Sequence, residues 1–183
     1  MMLTGMFIGF ILLFAPGRDG NGAVYTTRNA EIALFSSAPM EDIEAVSRNA
    51  YGVINLASGE VRLGVSVRSF QFRKSLMQEH FNENYMESDK YPIAKFEGKI
   101  NDLPAFSEDG EYRVTVTGSL EVHGISRQRT VSGMLKISNG RLGLSSVFEV
   151  RCRDHDIKIP SLVFRNIAET IQVSLKGTFS TIT

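Results

Sequence analysis

The sequence predicts an all-β protein, a single antiparallel up-and-down β-barrel of about eight strands with one amphipathic helix inserted between two of them. Three observations predict it. From Val24 onward, apolar and polar residues alternate with a period of two, which is typical of strands with one buried face. Turn residues interrupt this alternation at short intervals, which favours hairpin connections. A single stretch has the apolar spacing of a helix instead. An antiparallel sheet of this size leaves no exposed edge if it closes into a barrel.

The first 22 residues resemble a secretory signal peptide. Residues 6–15 (MFIGFILLFA) form a continuous apolar run, and Gly22 and Ala23 offer small residues for cleavage. Such a run matches the core of a signal and is too short to span a bilayer. No Lys or Arg precedes it, which is atypical, so an uncleaved anchor or a misassigned start stays open. We predict a signal at 1–22, a barrel domain at 23–183 with no stable membrane span, and a periplasmic or secreted location.

Five stretches carry the strongest alternation. Their apolar and small residues fall at every second position from Val61 to Val67, Ala94 to Ile100, Tyr112 to Val122, Leu142 to Cys152 and Ile171 to Phe179. Weaker candidates at 30–36, 43–47, 50–55 and 131–138 complete the predicted sheet. Turn pairs separate the strands, namely Ser58-Gly59, Asp109-Gly110, His123-Gly124 and Asn139-Gly140. Asn-Gly favours a tight hairpin because both residues tolerate positive φ.

Residues 72–85 break the alternation. Apolar side chains recur there with helical spacing, and His80 shares their face: Phe72, Leu76, Met77, Phe81 and Tyr85. This pattern predicts an amphipathic helix of about three turns that lies over one end of the barrel, either as a plug or as a lid over a ligand mouth. A second short helical turn is predicted at 161–168.

Charge and motif content exclude several classes of function. Twenty basic residues balance twenty acidic ones, and no basic run indicates nucleic acid as a partner. The single cysteine, Cys152, cannot form an internal disulfide and is expected to be a small buried hydrophobe. No nucleophile elbow, phosphate loop or dinucleotide motif is present. The sequence therefore predicts no enzyme and no cofactor, and it leaves open whether the chain is a homodimer.

The three histidines lack the spacing of metal ligands. His155, between Asp154 and Asp156, is expected to be a solvated or capping group in a turn, with a metal site in this loop as the alternative. His123 precedes a glycine at a strand end, which favours a structural hydrogen bond. His80 is interpreted as a hydrogen-bonded interior histidine, with contact to a lipid head group as the alternative. We predict no metal site.

Two segments resemble a known family. HFNENYMESDKYPIAKF at 80–96 and TGSLEVHGI at 117–125 are similar, in order and separation, to the helix-to-strand segment and the strand-and-turn segment of YceI-like proteins. The chain departs from commoner members at HFNENYMES and at DHDIKIP (154–160), and so resembles a shorter, divergent branch. The resemblance implies a secreted or periplasmic barrel of lipocalin-like shape, and some members hold a polyisoprenoid or a related long lipid.

The main functional hypothesis is the binding or carriage of a polyisoprenoid, quinone or fatty acyl lipid in the barrel interior. An eight-stranded barrel has room for side chains or for one slender ligand. We predict that nine residues line it: Val65, Val67, Phe70, Phe96, Val116, Leu120, Phe148, Val150 and Val173. Five more would close its mouth: Phe72, Met77, His80, Phe81 and Tyr85. The alternatives are a structural or stress-related interaction domain with a filled core, and an enzyme that uses His80 as an acid or base.

Overall fold

The computed structural model describes residues 24–37, 42–106, 108–159 and 169–181. The predicted signal at 1–22 and the predicted helical turn at 161–168 lie outside these ranges. The described residues form the following strands: β1 (Val24–Ser36), β2 (Ile43–Asn55), β3 (Glu60–Ser66), β4 (Gln71–Phe72), β5 (Ile93–Ile100), β6 (Gly110–Val122), β7 (Ile125–Ser138), β8 (Arg141–Arg151) and β9 (Thr170–Thr181). Helix α1 (Ser75–His80) lies between β4 and β5. No helix in these ranges has the length and apolar character that crossing a bilayer requires.

Eight of the strands close into an antiparallel barrel, as the sequence predicts. The strands are hydrogen bonded in the order β1-β9-β8-β7-β6-β5-β3-β2, and β2 pairs with β1 to complete the ring. The two-residue strand β4 pairs only with β2, at Ala45 and Val46. Because almost every neighbour in the ring is also a neighbour in sequence, the topology is up-and-down and needs no long crossover.

Two tight hairpins form where Xaa-Gly pairs predict them. Asn139 and Gly140 have φ values of 52° and 74°, and His123 and Gly124 have values of 52° and 72°. Positive φ at both central residues is the geometry of a type I′ turn, whose twist matches that of the flanking strands. These turns set the register of β6, β7 and β8, and hence which residues face the interior.

The two strands predicted at 43–47 and 50–55 are one continuous strand, β2. Its pairing with β1 shifts twice, between Thr27 and Ala30 and again between Ala30 and Ile32. The first shift places one extra residue on β1, and the second places one extra residue on β2 near Ser47. Such bulges bend a strand and reverse its alternation locally, which is why the sequence pattern suggests an interruption there.

The predicted helix begins later than expected and continues in a different form. Phe72 belongs to β4, α1 starts at Ser75, and a π-helical turn (Phe81–Tyr85) follows it. A π turn has more residues per turn than an α turn. Residues before and after Phe81 that would share one face of a continuous α-helix therefore point in different directions. Leu76, which was predicted to face the barrel, is 59% exposed. The prediction for Leu76 is therefore wrong.

Candidate functional site

The barrel interior is packed at one end and hollow at the other. The packed end lies opposite α1 and holds a cluster of fully buried large side chains that includes Ile54, Leu135, Leu142 and Phe179. Toward α1, inward-facing residues enclose a cavity of about 520 Å³, a volume typical of small-molecule sites. Inward-facing apolar residues such as Leu34, Val173 and Phe148 keep part of their surface accessible, because they border this space.

The lining of the cavity is apolar almost throughout. Among the described residues that line it, Lys95 is the only Lys, Arg, Asp or Glu. Its Nζ lies 3.3 Å from Glu121 Oε2. Ser146 donates its hydroxyl to the Ser132 carbonyl oxygen at 2.6 Å. Burial raises the pKa of the Tyr85 phenol above its ordinary value, which keeps it neutral. Such a wall favours hydrocarbon over a charged solute.

Aromatic rings from the helical insertion cover the hollow end. The Phe81 ring lies 4.9 Å from the Phe72 ring and 5.8 Å from the Phe70 ring, centroid to centroid. Met77, from α1, also lines the cavity. Edge-to-face and tilted ring pairs of this kind contribute about 0.5–1.5 kcal/mol beyond their buried area. The insertion is therefore held to the barrel by a few contacts at its rim, as a cover that borders the cavity.

All fourteen residues predicted to bind a ligand lie on this cavity. The nine from the barrel wall are Val65, Val67, Phe70, Phe96, Val116, Leu120, Phe148, Val150 and Val173, and the five from the cover are Phe72, Met77, His80, Phe81 and Tyr85. The strand parity and the helical spacing thus bring together one set of side chains. Their contact with a ligand stays a prediction.

The interpretation of His80 as an interior histidine is wrong. Its side chain borders the cavity but is exposed to solvent, at the last residue of α1. The His80 side chain therefore borders both the cavity and the solvent.

Several lining residues were missed. Ile157 and Ile159 follow β8, and Met86 follows the π turn. The spacing of Ile157 and Ile159 is a strand-like signal, although they lie outside any strand. Their inward position depends on the turn after β8, where Asp156 has a left-handed φ of 52°, and no alternation pattern reports such a turn.

Cys152 lies in the wall as expected, buried and free. Burial raises its thiol pKa to about 11. Because the thiolate is the nucleophile, this group is chemically quiet at neutral pH. Its role is that of a small apolar side chain beside the cavity.

His123 and His155 tie the loops at the helix end together. His123 Nδ1 lies 3.1 Å from the His155 carbonyl oxygen, and its Nε2 lies 2.8 Å from Glu87 Oε2, so the predicted structural hydrogen bond is confirmed. His155 was predicted to be a solvated or capping group in a turn. It is fully buried, so the solvated alternative is wrong, and its Nδ1 donates to the Ile125 carbonyl oxygen at 2.9 Å. Within the described ranges, no group of His, Cys, Asp and Glu side chains is arranged to hold a metal.

Comparisons with known proteins agree with this architecture. The sequence model of the YceI-like domain family matches residues 29–179. No curated protein matches the chain. A Saccharophagus degradans structure, described as a polyisoprenoid binding domain implicated in plant cell wall breakdown, superposes with a TM-score of 0.75 at 14% identity, covering 88% of this chain and 99% of that one.

Two further solved structures share the fold. Burkholderia cenocepacia BcnA gives a TM-score of 0.69 at 16% identity, over 83% of this chain and 96% of that chain. A Campylobacter jejuni YceI protein gives 0.60 at 14% identity, over 75% and 83%. At these identities the likeness concerns the fold.

Proposed function

Because this chain belongs to the YceI-like domain family, we propose that its cavity binds and carries the hydrocarbon chain of a long lipid, namely a polyisoprenoid, a quinone or a fatty acyl lipid. One observation carries the proposal: a hollow of about 520 Å³ whose wall is apolar lies inside an otherwise well-packed barrel. The S. degradans relative, described as a polyisoprenoid binding domain, supports the ligand class. Family members are binding proteins, and we propose that this chain likewise acts without catalysis.

The energetics favour a chain over a compact solute. Each methylene group removed from water contributes about 0.8 kcal/mol, so a lipid tail needs few polar contacts to bind. The cavity of about 520 Å³ lies within the range of sites that hold small ligands, so one slender tail fits in it.

The proposed setting is outside the cytoplasm. The apolar segment at 6–15, followed by small residues, is the basis of this proposal. A carrier there would shield a lipid tail from water between membranes, and the aromatic cover formed by Phe72 and Phe81 would restrict access to the tail. Fractionation of host cells, with mass determination of the mature N-terminus, tests the location.

The binding function is tested by native mass spectrometry and lipid extraction of protein purified from its own host, followed by uptake of added lipids. A series of saturated fatty alcohols from eight to 24 carbons should gain affinity with each added carbon and reach a plateau at the chain length that fills the cavity. Empty protein from the host, together with no uptake of any alcohol, polyprenol or quinone, would count against lipid carriage.

A further inference from the structure

The barrel wall is incomplete between β7 and β8. Their ladder runs from Ser138↔Arg141 to Gly133↔Ser146 and stops there. Both strands continue, β7 along β6 and β8 along β9. Residues 127–132 of β7 and 147–151 of β8 therefore have no backbone pairing with each other. We name this stretch the β7–β8 gap.

Arginine side chains bridge the gap in place of the ladder. Arg129 Nη1 donates to the Glu149 carbonyl oxygen at 2.9 Å, and its Nη2 lies 3.4 Å from Asp154 Oδ2. Arg127 Nε donates to the Asp154 carbonyl oxygen at 2.7 Å. Arg127 is exposed, and a side chain at an exposed site changes rotamer in nanoseconds or less. The Arg129 side chain is 22% exposed. The strands there can separate without breaking a backbone ladder.

A basic recess lies along the gap. Its charged side chains are Arg127, Arg129, Arg151, Arg153, Glu149 and Asp154. Four guanidinium groups thus face two carboxylates, in a chain whose overall net charge is zero. Among the described residues, the guanidinium groups of Arg151 and Arg153 have no hydrogen-bond or ion-pair partner. Guanidinium groups match phosphate and carboxylate oxygens in pairs, so the recess has free donors for an anion.

The inner side of the same wall borders the cavity. Val131 and Ser132 of β7, and Phe148 and Val150 of β8, line it, while Thr130, Glu149 and Arg151 line the recess. The gap thus borders an apolar space, and guanidinium groups without a partner lie beside it. A molecule with a hydrocarbon tail and an anionic head group could place its tail in the apolar cavity and its head group beside the guanidinium groups.

We propose that this recess binds the anionic head group, phosphate or carboxylate, of a single-chain lipid whose tail passes through the β7–β8 gap into the cavity. The inference rests on the proposed function, because it assumes that a tail occupies the cavity. It adds the chemical class of the head group and the place where the head lies, at the side of the barrel and away from the helical cover.

Matched lipids test the head group. Geranylgeranyl phosphate and geranylgeraniol share one tail and differ in charge, as do palmitate and hexadecanol. Affinity of each is measured for the wild-type chain, for Arg151→Gln/Arg153→Gln, and for a control, Arg113→Gln/Arg141→Gln, which removes two exposed charges from the packed end of the barrel. The tested pair makes no contact that the fold needs, so folding should be unaffected.

We expect the wild type to prefer at least one anionic lipid over its alcohol by about tenfold or more, since charge-assisted hydrogen bonds are the strong ones. Arg151→Gln/Arg153→Gln should abolish that preference and leave alcohol binding within about twofold, and the control should retain the preference. Equal affinity for acid and alcohol, or equal losses in both double variants, would overturn the inference while lipid binding stands. If no lipid binds the wild type, the proposed function fails as well.

A reporter locates the head. The chain has no tryptophan, so Gln128→Trp places a single one in the recess and Glu79→Trp places one on α1 at the helical cover. A stearic acid with a doxyl quencher beside its carboxylate should quench the tryptophan at position 128 and spare the one at 79. Quenching at 79 alone would put the head group at the cover and overturn the assignment.

Inorganic phosphate should compete with the lipid phosphate for the recess. If inorganic phosphate binds without competing with the lipid, the recess is only a free-anion site, which would contradict the lipid proposal.

Discussion

Val173→Phe separates a hollow barrel from a filled one. Val173 lies on β9 between Leu34 of β1 and Phe148 of β8, and all three line the cavity. In a close-packed core, added carbon atoms force side chains off their rotamers and cost about 1–3 kcal/mol. In the hollow observed here the ring has free space, so we expect unfolding stability to be unchanged or slightly higher.

The same change should weaken lipid binding by an amount that follows from the space lost. Phenylalanine has four more side-chain carbon atoms than valine, and these displace about two to four methylene groups of a tail. At about 0.8 kcal/mol each, the loss is about 1.6–3.2 kcal/mol, or about 10- to 200-fold in Kd. The matched control is Val53→Phe, which adds the same atoms to an outward-facing, 39% exposed position on β2.

The assay pairs chemical denaturation with titration of a fatty alcohol or polyprenol. Val173→Phe should leave the free energy of unfolding unchanged and reduce affinity, while Val53→Phe should alter neither by much. A Val173→Phe chain that loses 1–3 kcal/mol of stability and binds lipid as the wild type does would refute the hollow interior.

Further predictions concern the wall and the loops. Gly118→Ala should destabilise the fold by about 1–3 kcal/mol, because a Cβ there would overlap the Glu97 carbonyl oxygen. Gly143→Ala, with no neighbour nearer than 3.6 Å, should change the stability by no more than about 0.5 kcal/mol. Urea unfolding of both variants measures the difference. Burial lowers the pKa of His155 below its ordinary value of 6.5. At a pH below about 6.5 the unfolded chain therefore binds more protons than the folded chain, so the free energy of unfolding should fall as the pH drops. His155→Asn, which retains a hydrogen-bond donor, should make the free energy of unfolding less dependent on pH. With its pKa near 11, the Cys152 thiol should react with a disulfide reagent at pH 8 only on unfolding, and fast reaction of the folded chain would contradict its burial.

Local pattern determined a large part of this fold. Alternation with period two assigned the inward faces of β3, β5, β6, β8 and β9, because side chains on a strand point to opposite faces in turn. Glycine after His123 and Asn139 predicted the two tight hairpins, because positive φ is a local property. All fourteen residues selected from the inward faces and from the helical segment line the cavity, although other lining residues were not selected and the helix itself starts at Ser75 and not at Phe72.

Only the tertiary structure shows how segments that are distant in sequence pack against one another. Whether inward side chains fill a barrel depends on its circumference and stagger, which no single strand encodes. The bulges that join 43–47 and 50–55 into β2, and the burial of His155 beneath Ile125, depend on partners far along the chain. The basic recess forms because β7 and β8 part before their ends and bring Arg127 and Arg129 beside Arg151 and Arg153. The period of the sequence pattern determines which face of the sheet a side chain points to, whereas closure of the sheet into a barrel determines which other side chains it contacts.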